Sequence, residues 1–371
     1  MQQDKIQMVD LYSQYVKIKP RVDSAIQKVI DESAFVKGKI VKEFEQALSE
    51  YLGVEHVISC ANGTDALQIA MMALGLKPGD EIIIPTFTYV ATAEAIALLG
   101  LTPIMVDVDK DDFCLEVHQL ESVLTANTKA IVPVHLYGQV ANMDEVLAFA
   151  KKYNLHVIED TAQALGAKYI MNDGTIKRAG CIGDIGTTSF FPSKNLGCFG
   201  DGGALMTNDS ELAIKIRMIA NHGQKELYKH EVVGINSRLD GIQAAILLEK
   251  LRELDSYELS RNYVASFYDR NINNPLIIKP FRKNNSTHVF HQYTIKVKNG
   301  KRDDLRQYLL ENEIPSMIYY PIPLNKQVAY KNETSHFPNA ENLVNQVLSL
   351  PIHTELSDFQ LEKICSLINK Y

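Results

Sequence analysis

Between residues 56 and 207, short apolar runs alternate with longer stretches in which apolar residues recur at helical spacing. His56–Cys60, Glu81–Ile84, Pro103–Val106, Ala130–Val134 and His156–Glu159 read as buried strands, and Thr187–Phe191 and Gly203–Thr207 add two more. Asp65–Leu76 and Met143–Tyr153 carry the apolar period of helices between them. Strands that alternate with helices predict an α/β fold built on a mostly parallel sheet covered on both faces. Asn172-Asp173-Gly174 marks a turn inside 169–183 and predicts a small hairpin there.

Later in the chain the pattern changes. Ile242, Ala245, Ile246, Leu248, Leu251 and Leu254 predict one long helix around Leu239–Tyr268. Beyond it, a strand (His291–Val297) and helices (Asp303–Glu311, Asp358–Ile368) form a second, mixed region. A chain of 371 residues is too long for one ordinary core. The division expected is a large domain over residues 1–250 and a smaller C-terminal α/β domain over 251–371, joined by the long helix.

Composition narrows the class. Hydrophobic residues are 46% and charged residues 22%, the balance of a globular protein. A formal net charge of −7 leaves no basic footprint for nucleic acid or an anionic membrane, and no apolar run is long enough to span a bilayer. Five scattered cysteines without CxxC or Cys/His spacing read as reduced thiols and give no metal site. With a polar first stretch, Met1–Asp10, these features place the chain in the cytoplasm.

Four short segments carry candidate chemistry. In Ile185–Gly200 the only charge is Lys194, set among aromatic, small and glycine residues just past a strand. Desolvation lowers an ammonium pKa, and the neutral amine is the nucleophile of Schiff-base chemistry. Taken alone, the same lysine suits an ordinary surface loop. Asp160 ends the strand Leu155–Asp160, where open α/β sheets bind ligands, and its carboxylate suits a protonated pyridine nitrogen as well as it suits a turn cap. Glu159 should point to the other face of the strand, and Gln163 is placed for a ring phenolic oxygen. Cys60–Leu67 ends a strand and opens a helix, with Gly63 allowing close approach; Gly63, Thr64 and the hydroxyl of Ser189 suit a phosphate, and the turn also suits a plain N-cap. The chain has no Trp, so Tyr89, in Pro85–Thr92 after a strand, is the candidate to stack on a flat ring or to serve as core.

Asn62–Leu67, Glu159–Gln163, Ser189–Lys194 and Gly200–Ala204, in this order, resemble the DegT/DnrJ/EryC1/StrS sugar aminotransferases of the aspartate-aminotransferase fold (fold type I). The resemblance runs from Ile6–Leu11 to Ser349–Pro351. It implies pyridoxal 5'-phosphate as cofactor, passing through pyridoxamine 5'-phosphate, with Lys194 as Schiff-base lysine and proton shuttle. It further implies Asp160 on the pyridine nitrogen, Gln163 on the phenolic oxygen, Gly63, Thr64 and Ser189 on the phosphate, and Tyr89 on the ring. It implies a homodimer with shared sites, in which Gly234–Asp240 delivers Asn236 to the neighbouring subunit's phosphate. The amino donor implied is L-glutamate, leaving 2-oxoglutarate, and the acceptor is a UDP- or dTDP-linked keto sugar.

Asn236–Asp240 resembles the branch that aminates C-3 of the sugar, and Ile58–Leu67, Phe87–Glu94 and Tyr320–Gln327 narrow the implied substrate to UDP-2-acetamido-2-deoxy-3-oxo-glucuronate, a precursor of surface polysaccharide such as O-antigen. Arg238 then suits the sugar carboxylate, or an ion pair at the dimer interface. Tyr319 and Tyr320 are candidate sugar contacts, and Tyr319 stands where relatives tend to have His. The alternatives are a dTDP-3-oxo-6-deoxyhexose substrate, which needs no carboxylate partner, and a non-catalytic nucleotide-sugar or cofactor-binding regulator. An amino-acid aminotransferase would need a carboxylate-clamping arginine in the small domain, where Arg282, Arg302 and Arg306 read as surface residues.

Overall fold

The computed structural model describes residues 5–330 and 335–371. In chain order, the strands begin with β1 (His56–Cys60), β2 (Glu81–Pro85), β3 (Thr102–Val106), β4 (Thr128–Ile131) and β5 (His156–Asp160). A hairpin follows, β6 (Lys168–Ile170) and β7 (Ile176–Arg178), then β8 (Ile185–Ser189) and β9 (Gly203–Thr207). A second hairpin, β10 (Gln224–Glu226) and β11 (Lys229–His230), precedes β12 (Ile277–Ile278), β13 (Tyr293–Val297) and β14 (Val347–Leu350).

Seven strands form the central sheet in the order β1-β9-β8-β5-β4-β2-β3. Only β9 runs against its neighbours, pairing antiparallel with both β1 and β8. The carboxyl ends of β1, β8, β5, β4, β2 and β3 therefore all open on the same side.

Side chains alternate strictly across this sheet, because successive strand residues point to opposite faces. Ile58, Ile82, Ile84, Ile158 and Leu205 pack into one core beneath the helices Gly63–Ala73, Ala91–Leu98 and Ser210–Ile219. Val57, Ile83, Val157 and Met206 face the other way, toward the helices Lys39–Leu52, Met143–Tyr153 and Gly241–Leu251. Both faces are covered, which is why these strands read as continuous apolar runs.

A separate core lies under the three-stranded sheet β12-β13-β14. The helices Leu254–Asn271, Arg302–Glu311 and Asp358–Lys370 close it, and Ile6 from the start of the chain packs into it.

Three expectations need correction, among them the strand read at Thr187–Phe191, which runs Ile185–Ser189 and ends before Pro192. The long helix predicted around Leu239–Tyr268 is two helices, Gly241–Leu251 and Leu254–Asn271, broken at Arg252-Glu253 with no glycine or proline to signal it. The strand expected at Ala130–Val134 is shifted to Thr128–Ile131, because Pro133 has no N–H to give the ladder and Val134 keeps only an isolated bridge to Asp160. All five cysteines are buried free thiols, and no helix among the described residues is long and apolar enough to cross a membrane.

Candidate active site

Asp160 is the last residue of β5, and Lys194 lies five residues past the end of the neighbouring strand β8. By the alternation of β5, Asp160 follows Ile158 onto the face covered by the helix Ala91–Leu98. Thr92 of that helix donates its hydroxyl to Asp160 Oδ2 at 3.0 Å, and the Ala162 N–H donates to Oδ1 at 3.1 Å. The second bond is the turn cap read from the sequence; the first fixes the carboxylate toward the site.

Lys194 is partly buried, and burial pulls its ammonium below the usual lysine range while the charge of Asp160 resists. The amine is thus poised toward its nucleophilic form beside a carboxylate that any positive group in the site can use. Its loop is tied down on the far side, where the neighbouring Asn195 amide donates to the Val289 carbonyl at 2.9 Å.

Glu159 points the opposite way, as expected, and is fully buried. It accepts His135 Nε2 at 2.9 Å and the N–H groups of Gly180, Ile182 and Gly183 at 3.0, 2.7 and 2.7 Å. Burial alone would raise its pKa, but the His135 hydrogen bond, its charge and the amides hold it below the usual carboxylate range. The adjacent carboxylates therefore divide their tasks: Glu159 braces the end of β5 while Asp160 faces the open side.

Gln163 is held between two partners. Its Oε1 accepts the Tyr137 N–H at 2.8 Å, and its Nε2 donates to the Tyr320 hydroxyl at 3.0 Å. Tyr320 in turn lies with its ring 6.0 Å from that of Tyr89, whose side chain is largely exposed, and Tyr137 donates its hydroxyl to the Tyr319 carbonyl. Burial pushes the Tyr320 phenol upward, so it stays protonated.

At the other end of the site, Asn62 caps the helix Gly63–Ala73 by accepting the Asp65 N–H at 2.8 Å. The helix start lies against Ser189: a Cβ on Gly63 would come within 2.8 Å of the Ser189 Cβ. A donor-rich helix N-terminus and a hydroxyl meet there with no side chain between them, the arrangement that admits a phosphate. The donor set as a whole, an amine, a carboxylate, an amide and this cradle at the carboxyl ends of β1, β5 and β8, fits a phosphorylated pyridine aldehyde.

The structure brings Lys194, Asp160, Gln163, Tyr89, Tyr319 and Tyr320 into one constellation, with Gly63, Thr64 and Ser189 at its end. Arg238 lies elsewhere on the same chain, and Asn236 makes an isolated backbone bridge to Asn221. Arg238 lines a neighbouring cavity with Lys37, Lys42, Arg217 and Asn221, and Lys194 is not part of its wall. Arg238 has no ion-pair partner among the described residues, and Lys37 is held below the usual lysine range by burial and by the charge of Arg238. Ser237 between them accepts the Ala61 N–H at 3.0 Å and so fastens this segment to the phosphate end.

Comparison with known proteins matches residues 16–369 to the DegT/DnrJ/EryC1/StrS aminotransferase family. The chain belongs to that family. The aminotransferase is 46% identical over 361 residues, 97% of its length and 99% of the relative's, to the UDP-2-acetamido-2-deoxy-3-oxo-D-glucuronate aminotransferase of Pseudomonas aeruginosa. Its backbone superposes with a TM-score of 0.94 on a family member from Brucella abortus, 42% identical, with 98% of this chain and 99% of that one covered. A Bacillus subtilis structure described with bound cofactor PMP matches with a TM-score of 0.88 at 32% identity, over 95% of this chain and 81% of that one. The fold is therefore fold type I, and the enzyme is a pyridoxal-phosphate-dependent sugar aminotransferase.

Reading the sequence alone missed Thr92, Tyr137 and His135, which position Asp160, Gln163 and Glu159. Each acts from a strand end or helix distant in the chain, so no local spacing signals it. Arg302, read as exposed, is buried, its guanidinium donating to the Val344 carbonyl at 2.9 Å.

Proposed function

We propose that this aminotransferase transfers the amino group of L-glutamate to C-3 of a nucleotide-linked keto sugar, with UDP-2-acetamido-2-deoxy-3-oxo-glucuronate as the substrate. The observation that carries the catalytic assignment is the placement of Asp160 and Lys194 at the carboxyl ends of adjacent strands, with the Gly63–Ser189 cradle on the same side of the sheet. When bound, pyridoxal phosphate supplies the electron sink that lets a carbon beside the amine lose a proton.

The chain's own groups do the rest. Lys194 would hold the cofactor through its amine and, once freed, would take and return the proton that moves during the transfer. Asp160, fixed by Thr92, keeps a proton on the ring nitrogen. Gln163 donates toward the phenolic oxygen, while Gly63, Thr64 and Ser189 hold the phosphate and Tyr89 lies on the ring. Tyr319 and Tyr320 meet the sugar.

Asn236 and Arg238 complete the site of a second subunit in a homodimer; in support, Arg238 lines a cavity whose wall does not include Lys194. There Asn236 holds the phosphate and Arg238 pairs with the sugar carboxylate, a reading supported by the arginine's freedom from ion pairs among the described residues. The resemblance to the Pseudomonas enzyme supports the UDP-uronate over a dTDP-6-deoxyhexose. A cytoplasmic enzyme supplying surface polysaccharide such as O-antigen follows from that substrate.

The test is a spectrum. Protein loaded with pyridoxal phosphate is expected to show the visible band of a lysine-bound cofactor, to lose it on adding L-glutamate, and to regain it on adding the 3-keto UDP-uronate. Loss with glutamate but recovery only with a dTDP-6-deoxy keto sugar would transfer the assignment to that substrate. No band at all would leave Lys194 without its role.

A further inference from the structure

The loop that carries Lys194 is gripped from behind by a single helix. Gly241–Leu251 presents Gln243 and Lys250, two helical turns apart and so on one face, to the stretch Gly197–Gly200. The Gln243 side-chain oxygen accepts the Phe199 N–H at 2.9 Å, and the Lys250 ammonium donates to the Gly197 carbonyl at 2.5 Å. The same ammonium sits over the Phe199 ring, 5.7 Å from its centroid, and Lys250 is only 2% exposed.

No carboxylate among the described residues pairs with Lys250. The groups that face it are the Gly197 carbonyl, the Cys198 thiol and the Phe199 ring from the loop, and Arg261 from the helix Leu254–Asn271. Arg261 is buried as well and donates only to backbone carbonyls, those of Phe290 and Ile352 at 3.0 and 3.1 Å among them. Burial pushes Lys250 down to about 8, with Cys198 opposing the shift and Arg261 adding to it.

An enclosed ammonium without a counter-ion lowers the stability of a fold, and a methionine of similar length would fill the same space without that penalty. The interaction that sets Lys250 apart from such a filler is its bond to the loop. At Gly197 a Cβ would lie 2.3 Å from the Pro192 carbonyl oxygen, so the turn that Lys250 holds packs directly against Pro192 with no room for a side chain of its own.

We propose that Lys250 is a positioning residue for Lys194, its ammonium fixing the Gly197 carbonyl and through it the reach of the Lys194 amine toward the cofactor. The inference rests on Lys194 being the amine that bonds pyridoxal phosphate, the reading given above.

The experiment compares the full-length wild type with Lys250→Met and Lys250→Gln. Each protein is melted without cofactor, titrated with pyridoxal phosphate, and reduced with borohydride so that the modified peptide can be mapped and its rate of formation measured. Lys250→Met is expected to melt at or above the wild-type temperature, yet to bind pyridoxal phosphate and form the Lys194 adduct about ten-fold more weakly and slowly, the effect of a small displacement of a reacting group. Lys250→Gln, which keeps a donor for the Gly197 carbonyl, is expected to recover most of the adduct rate.

A Lys250→Met protein that melts lower and loses cofactor in step would show a purely structural lysine and overturn the proposal. Wild-type binding and adduct formation in that variant would overturn it equally. A wild-type protein with no adduct at Lys194 would instead sink the reading of Lys194 itself, and this is seen before any substitution is compared.

Discussion

At the scale of single residues, the site depends on a carboxylate whose orientation is enforced by a neighbour. Asp160 receives the Thr92 hydroxyl on the oxygen that the Ala162 amide leaves free. Asp160→Asn removes the charge that keeps a pyridine nitrogen protonated, so turnover is expected to fall by orders of magnitude while the protein keeps its fold. Thr92→Val leaves the charge but frees its direction. A hydrogen bond to a charged group contributes about 1.5–3 kcal/mol, so kcat is expected to drop roughly ten- to a hundred-fold with little change in melting temperature. Steady-state kinetics on both variants checks this. Near-normal turnover in Asp160→Asn would place the ring nitrogen elsewhere.

At the scale of elements, the helix start and the strand end that form the phosphate cradle leave no spare volume. Gly63→Ala would put a methyl group 2.8 Å from the Ser189 Cβ, so the helix Gly63–Ala73 and β8 must part there. The expected outcome is a folded protein whose affinity for pyridoxal phosphate is lower by about ten-fold or more, since misplacing a positioning group by a fraction of an ångström weakens what it holds. Titration of the cofactor-free variant reads the loss, and unchanged affinity would move the phosphate away from this junction.

These elements were legible because strands covered on both faces are mostly apolar along their length: His56–Cys60 and Gly203–Thr207 have the bounds their sequence suggests. The turn Asn172-Asp173-Gly174 likewise sits between β6 and β7. The break at Arg252-Glu253 was illegible because Leu251 and Leu254 keep the helical period across it and both are buried. The partners of the site residues were illegible for a different reason. Thr92 and Asp160 are 68 positions apart, and Gln163 and Tyr320 are 157 apart, so only the fold makes them neighbours.

At the scale of the whole molecule, the proposed delivery of Asn236 and Arg238 to a second subunit leads to a test of subunit sharing. Lys194→Ala and Asn236→Asp proteins should each be inactive as pure preparations. Mixed by unfolding and refolding in equal amounts, they should recover about a quarter of wild-type activity, because half of the dimers are mixed and each of those holds one intact site of two. A mixture as inactive as its components would confine each site to one chain.

The alternation along β5 has a consequence for how this molecule reaches its fold. A strand displaced by one residue would turn Asp160 into the place of Glu159, one methylene too short to meet His135 and the three amides satisfied there, and would bury the Glu159 charge where Ile158 now packs. Each donor stranded in the interior is penalised by about 1–3 kcal/mol. The paired carboxylates thus act as a proofreading mark, and a chain that zips the central sheet out of step is rejected at the strand where the chemistry will take place.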